Sequence, residues 1–376
     1  MHDAIAQLAQ QIRAHAALPA SQREPLSIRA GGSKDFYGHA PRGTLLDPRA
    51  IRGVADYQPS ELVITVRGGT PLAEVEALLR EHAQMLAFEP PHFGATATIG
   101  GCVAAGLAGP RRAAAGSAFG AVRDFILGAT LLDGRAQLLK FGGTVMKNVA
   151  GYDVSRLLAG SMGTLGVIVD VSLKVLPTPE SECTLQWQMP AAESLLRLRQ
   201  WASRPLPVSA SAWCAGRLTL RLSGAHAAVE EARQQLGGER MDVGAAQALW
   251  QSLREQTHPF FAGPLPLWRL SVPPASVLPS LAGDLMIEWG GAQRWVRTAA
   301  PAEKVRGCAR ELRGHATLFR PGVASRSMHA DAAVPAPEQV AVFTPLPPAL
   351  LELQQRVRAQ FDPHGVFDAG RLFGEP

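Results

Sequence analysis

Glycines, small hydroxyl residues and a few isolated charges are the residues of this chain whose types and spacing could do chemistry. In IRAGGSKDFYG (28–38), Ala30, Gly31, Gly32, Ser33 and Lys34 present consecutive backbone N–H groups with little side-chain obstruction. Such a run either forms a nest for a diphosphate or serves as a plain glycine turn. In PPHFGATATIGGCVAAGLAGP (90–110), Thr98, Ile99, Gly100 and Gly101 again combine a hydroxyl with bare backbone. The small residues at 104–106 and 108–109 leave room there for a bulky planar group. The stretch KFGGTVMKNVAGYDVSRLLAGSMGTLGVIV (140–169) is dense in glycine before it passes into an alternating apolar run. Glycine loses more backbone freedom on folding than any other residue. A chain therefore keeps several together where backbone must approach something closely or adopt positive φ. The chemistry that fits is a large, flat, phosphate-bearing cofactor lying against main chain.

Several other chemistries are excluded. No GxGxxG follows a strand, no GxxxxGK[ST] occurs, and GxSxG, HExxH and HxH are absent. These absences argue against a Rossmann dinucleotide site, a P-loop and the commonest hydrolase and zinc signatures. Cys102, Cys183, Cys214 and Cys308 are widely separated, with no CxxC, so neither an iron–sulfur cluster nor a metal site is expected within the chain. Isolated thiols fit a reduced, cytoplasmic protein. The ten histidines are dispersed. A net charge of +5, scattered apart from Arg111-Arg112, suits anionic ligands or an acidic partner surface and not nucleic acid. No signal peptide or membrane-spanning run is read.

The elements that must position these residues are legible as patterns. At 376 residues, two lobes are the natural prior. Ile5, Leu8, Ala9 and Ile12 recur at helical spacing. Leu62–Val66 reads as a strand. Thr70 is expected to cap a helix that carries Pro71 first and Leu72, Val75, Leu78 and Leu79 on one face. Asp133-Gly134 between Phe125–Leu132 and Gln137–Phe141 signals a hairpin. Val167, Val169, Val171, Leu173 and Val175 alternate as a half-buried strand, and Pro177 and Pro179 mark a boundary. Arg123-Asp124 could orient a loop or be a surface ion pair. Beyond residue 180, strand-like runs (218–222, 267–272, 285–289) alternate with helical ones (227–236, 246–256, 302–312), and all seven tryptophans fall here as an expected packed core. The fold class is α+β. Its expected domains are 1–176, a smaller cap at 177–340, and a C-terminal helix and tail at 341–376 that dock back on the first.

Taken in order, IRAGGSKDFYG, EPPHFGATATIGGCVAAGLAGPRR, AVRDFILG, FGGTVMKNVAGYDVSRLLAGSMGTLGVI and FDPHGVFDAGRLF resemble one family. It is the FAD-binding fold shared by vanillyl-alcohol oxidase and p-cresol methylhydroxylase (the PCMH type), and within it the FAD-binding subunits of bacterial glycolate oxidases. The resemblance implies that Ala30–Lys34 cradle the FAD diphosphate and that Thr98–Gly101 lie along the ribityl chain and ring. It implies that Gly163, Gly166, Val167 and Ile168 meet the cofactor through main chain. Pro91 would sit near the ring, and Lys147, Asn148 and Gly151 in a loop at the flavin edge. Relatives with a covalent link carry a histidine where this chain has Ser33, so FAD is expected to be non-covalent.

The same resemblance implies oxidation of a small 2-hydroxy acid such as glycolate to glyoxylate. A sister FAD-binding subunit and an iron–sulfur subunit would complete the electron path, and membrane association would be peripheral and only through that complex. Such chemistry needs an arginine for the carboxylate and a base for the hydroxyl proton. Arg269, Arg320, Arg326, Arg371, His258, His315 and His364 are available, and no spacing singles one out. A subunit that relays electrons without turnover of its own, or a stand-alone alcohol oxidase, remain alternatives.

Overall fold

A computed structural model describes residues 2–113, 120–144, 153–322 and 340–373. The chain forms two compact units. The first is built from Met1–Leu107, Ala121–Thr178 and Pro345–Pro376, the second from Ala108–Gly120 and Pro179–Thr344. Residues 108–120 thus belong to the second unit and not to the first, where the expected boundary had placed them. Contacts within the second unit explain this. The Trp289 indole N–H donates to Gly109 O at 3.0 Å, the Arg112 guanidinium lies 4.3 Å over the Trp289 ring, and Arg111 pairs with Glu182 at 2.6 Å.

In the first unit, β1 (Leu26–Ile28) and β2 (Thr44–Leu46) form a parallel pair. A five-stranded antiparallel sheet follows, with β3 (Val54–Gln58), β4 (Val63–Arg67), β6 (Ile126–Leu132), β7 (Leu138–Gly142) and β8 (Val167–Lys174) in the order β3-β4-β8-β6-β7. Short β5 (Gln84–Met85) and β9 (Leu176–Pro177) pair separately. Strand β8 sits centrally, so both of its faces are covered, where the alternation alone suggested one mixed face. Val167 and Val169 enter a core with Leu8, Ala9 and Ile12 of the His2–Ala16 helix. Ser172, on the other face, shares a 2.8 Å hydrogen bond with Thr65.

The helix after β4 runs Leu72–Glu81 with Pro71 as its N-cap residue and no side-chain cap. Thr70 is not the cap. Its hydroxyl donates to the Arg67 carbonyl at 2.7 Å and accepts from Gly53 N–H at 2.9 Å, tying the turn to β3 instead. Asp133 is fully buried between β6 and β7, and its Oδ1 accepts from the N–H groups of Arg135 and Gln137. A carboxylate that takes local backbone donors holds this turn in shape. Asp124 lies in the short Val122–Phe125 helix and accepts from Ala121 N–H, while its contact with Arg123 is 3.9 Å. The tail returns through Leu26, whose N–H donates to Val366 O at 2.7 Å and whose carbonyl accepts from Asp368 N–H at 3.0 Å.

The second unit is one antiparallel sheet of eight strands. They are β10 (Ser181–Gln188), β11 (Val208–Cys214), β12 (Arg217–Gly224), β13 (Glu239–Arg240), β14 (Leu267–Ser271), β15 (Asp284–Glu288), β16 (Gln293–Arg297) and β17 (His315–Arg320). Their order is β13-β10-β12-β11-β15-β16-β14-β17. Leu218, Leu220 and Leu222 pack on Leu198 and Trp201 of the Ala191–Ala202 helix and on Val229 and Ala232 of the His226–Leu236 helix. Trp268, Leu270, Val296 and Leu318 pack on Val305 and Ala309 of the Ala302–Glu311 helix. The other face keeps polar residues, among them Gln186, Thr219, Arg269, Glu288 and Thr317. Among the described residues no helix is long and apolar enough to cross a membrane.

Candidate functional site

Four separated segments of the first unit wall one cleft. They supply Ala30, Gly31, Gly32, Ser33 and Lys34 after β1, Gly68 after β4, Thr98, Gly100, Gly101, Ala104 and Ala105, and Met162, Gly163, Gly166 and Ile168 at the start of β8. Ile28, Arg29, Asp35, Pro48 and Arg371 complete it. Of the residues singled out in the sequence, Ile99 and Val167 are not on the wall. Both are fully buried, and Val167 faces away because its neighbours in the strand face the cleft. Pro91 is buried and off the wall as well. Lys147, Asn148 and Gly151 lie outside the described residues.

The third segment is a helix, Ile99–Ala105, which the density of small residues concealed. Thr98 is its N-cap, and Thr98 Oγ1 accepts from Gly101 N–H at 3.3 Å. Ile99 N–H donates to Thr70 O at 2.9 Å and Gly100 N–H to Gly68 O at 2.8 Å. The donors of this first turn are therefore spent within the chain. The loop after β1 is different. The N–H groups of Ala30, Gly31, Gly32 and Ser33 have no acceptor among the described residues, and the same holds for Gly163 and Gly166. Successive unpaired N–H groups on a cleft wall are an anion-binding arrangement.

The glycines also differ. A Cβ on Gly31 would lie 1.5 Å from Thr96 O, so this position serves a backbone crossing. Apart from its own helix, a Cβ on Gly101 would meet only Thr98 Oγ1 at 3.2 Å, and Gly101 is exposed on the cleft. The space beside it is left free by the chain. Unpaired donors at one end and bare, small-residue walls at the other fit an extended cofactor with a diphosphate and a planar ring.

Charged groups at the cleft are held in place. Arg29 pairs with Asp35 at 2.5 Å across Gly32. The buried Lys34 ammonium donates to His92 O at 3.2 Å and lies 5.7 Å over the Phe93 ring. Arg371, from the tail, donates to the carbonyls of Tyr37 (2.8 Å), Asp35 (3.3 Å) and His39, and burial lowers its pKa. Sequence reasoning had offered Arg371 for a substrate carboxylate. Its guanidinium instead straps the tail to the 35–39 loop.

Four of the remaining catalytic candidates, Arg269, Arg320, His315 and His258, are on the second unit. Arg269 and Arg320, on β14 and β17, each lie 5.6 Å from the Phe319 ring centroid. Burial, then Arg269, lowers the pKa of His315. His258 caps the Pro259–Phe261 turn, its Nδ1 accepting from Phe260 N–H at 3.2 Å. None of the four is a wall residue of the cleft. Arg326 lies outside the described residues, and the His364 carbonyl accepts from Arg23. A buried carboxyl raised well above its ordinary value, Glu288, carried no sequence signal. Burial pushes its pKa up to about 7, although the Trp295 indole (2.5 Å) and Gln293 amide (3.0 Å) donate to its Oε2.

Residues 4–156 match the FAD binding domain family. Over 355 residues, 94% of each chain, the protein is 43% identical to glycolate oxidase subunit GlcE of Escherichia coli (strain K12). It is 29% identical to glycolate oxidase subunit GlcD of Bacillus subtilis (strain 168) over 166 residues, 43% of this chain and 34% of that one. A solved structure of alkyldihydroxyacetonephosphate synthase superposes with a TM-score of 0.61 over 96% of this chain and 73% of that chain, at 13% identity. This last likeness concerns the fold alone. With an FAD-binding domain matched over residues 4–156 and a GlcE relative along almost its whole length, the chain belongs to the GlcE family of PCMH-type flavoproteins and is an FAD-dependent oxidoreductase.

Proposed function

We propose that this chain is an FAD-holding subunit of a glycolate oxidase and takes part in oxidising a small 2-hydroxy acid, glycolate in the first instance. The observation that carries the reading is the row of unpaired N–H groups at 30–33 on the wall of a cleft otherwise made of small residues. In this reading those groups and Lys34 bind the diphosphate, each charge-assisted hydrogen bond contributing roughly 1.5–3 kcal/mol. Gly101, Ala104, Gly163, Gly166 and Ile168 flank the rest of the cofactor and keep water from it. Bound there, FAD supplies an acceptor for the two electrons of an alcohol C–H bond. Ser33, with no nucleophilic ring to offer, leaves the flavin held without a covalent link. Lys147, Asn148 and Gly151 would border the ring.

The name of the GlcE relative, and the match to GlcD, support a multi-subunit assembly. In this reading a sister flavoprotein and an iron–sulfur subunit accept the electrons. The four cysteines lie far apart in sequence, three buried and one half-buried, which is why the cluster is assigned to a partner. A second reading, a flavin relay without its own turnover, is favoured by one observation. The arginines on the cleft wall, Arg29 and Arg371, are engaged with Asp35 and with loop carbonyls.

Anaerobic addition of glycolate to the purified flavin-loaded chain, and separately to the co-purified complex, tests both. Bleaching of the visible flavin band in the isolated chain would sink the relay reading. Absence of bleaching in the complex as well would sink the glycolate reading.

A further inference from the structure

The row of open donors at 30–33 contains one peptide that the sequence leaves free to turn over. Gly31 and Gly32 flank that peptide, and two glycines let it flip at little steric cost. In a planar trans peptide the carbonyl and the next N–H point in opposite directions. A flip would therefore take the Gly32 N–H out of the cleft and turn the Gly31 carbonyl, the negative end of the peptide dipole, into it. The following peptide is held locally, since Asp35 N–H donates to Gly32 O at 3.1 Å. The Gly31 carbonyl is held from far along the chain. Thr96 Oγ1 donates to it at 2.6 Å across a separation of 65 residues.

Thr96 is anchored well enough to act as the fixed partner. It precedes a stretch clamped to the scaffold, where Leu72 N–H donates to Ala97 O at 2.8 Å and Ile99 N–H to Thr70 O at 2.9 Å. The same segment holds the far end of the loop, because Lys34 Nζ donates to His92 O at 3.2 Å. Thr96 is not itself a wall residue of the cleft, and its single hydroxyl proton is spent on the Gly31 carbonyl. It keeps no donor for an anion. We infer that Thr96 is a positioning residue for the cofactor: its hydroxyl pins the Gly31 carbonyl away from the cleft and so aims the Gly32 N–H at the diphosphate. Gly32, at φ +67°, has the left-handed backbone that anion nests use. The inference rests on the reading that the 30–34 loop binds the diphosphate of FAD.

Three forms of the flavin-free, full-length chain test it: wild type, Thr96→Ala and Thr96→Ser. Each is titrated with FAD, followed by flavin fluorescence, and with ADP, which carries the diphosphate without the flavin, followed by its competition with FAD. Thr96→Ala should weaken FAD and ADP by the same factor, about tenfold, the net contribution of one hydrogen bond. Thr96→Ser keeps the hydroxyl and loses only a methyl, so it should bind both within about twofold of wild type. Thr96 is exposed, and a released Gly31 carbonyl can turn to water in the flavin-free chain, so the denaturation midpoint of Thr96→Ala should hardly move. Undiminished ADP binding by Thr96→Ala, beside ADP binding by the wild type, would overturn the inference and leave the diphosphate reading standing. Equal losses in the alanine and serine variants would overturn it too, by making Thr96 a packing residue. So would a loss confined to FAD, which would put the effect of Thr96 at the ring end. Failure of the wild-type chain to bind ADP would instead overturn the diphosphate reading, and the inference with it.

Discussion

In the loop after β1, four successive N–H groups at 30–33 find no acceptor among the described residues, whereas at the start of the Ile99–Ala105 helix the donors of 99–101 are all paired within the chain. The two segments read alike, each a pair of glycines beside a hydroxyl residue. They answer different needs. The first leaves donors open to an anion. The second uses its glycines to bring a helix close to Gly68 and to leave the space beside Gly101 empty. Glycine density marks where backbone must do something unusual, and only the hydrogen-bond partners reveal what.

The sharpest way to break this comparison is Gly31→Ala. The new methyl would be driven into the Thr96 carbonyl, and a loss of about 3–5 kcal/mol is expected. Chemical denaturation of the flavin-free protein measures it. An unchanged midpoint with loss of flavin alone would mean that the position serves the ligand and not the crossing.

Gly101→Leu is expected to do the reverse. Its side chain enters the cleft, so FAD affinity should fall at least about 100-fold, near 2.7 kcal/mol, while stability holds or rises slightly as a glycine leaves a helix. Fluorescence titration of the flavin-free protein gives the affinity. Unaltered binding would remove the cofactor from this wall. Thr98→Val deletes the N-cap and should cost about 1 kcal/mol of stability. Because the Thr98 hydroxyl is engaged with Gly101 N–H, FAD affinity should change less than about threefold. A large loss of affinity would make that hydroxyl a ligand contact.

The smallest intervention leaves the sequence alone. Acid precipitation should carry all flavin into the supernatant, and yellow colour in the pellet would contradict a non-covalent link.

Much of the scaffold was legible because patterns of two and of 3.6 residues report burial directly. The β8 valines, the hairpin around Asp133 and the helices of the second unit follow from them. The Ile99–Ala105 helix was hidden because Gly100 and Gly101 weaken any helical signal, yet its cap and its contact with Gly68 outweigh that propensity. At the cleft, contiguous sequence was the wrong unit. Residues beside one another in a strand point to opposite faces, so Val167 enters the core while Ile168 reaches the wall. Arg371 had no local signal for its strap, since its partners lie more than three hundred residues away. The Trp289 indole drew residues 108–113 into the second unit through a contact with no sequence period at all.

The strap formed by Arg371 and the Leu26–Phe367 pairing also order events in time. A ribosome makes the 30–34 loop early and residues 366–371 only after the whole second unit has emerged. Until then β1 has β2 on one side only, and the 35–39 loop lacks the guanidinium that gathers its carbonyls. The nascent chain can therefore fold its second unit while the cleft is still unfinished. Cofactor retention is expected to wait on residues 366–371, and their deletion would be felt first as a failure to retain flavin.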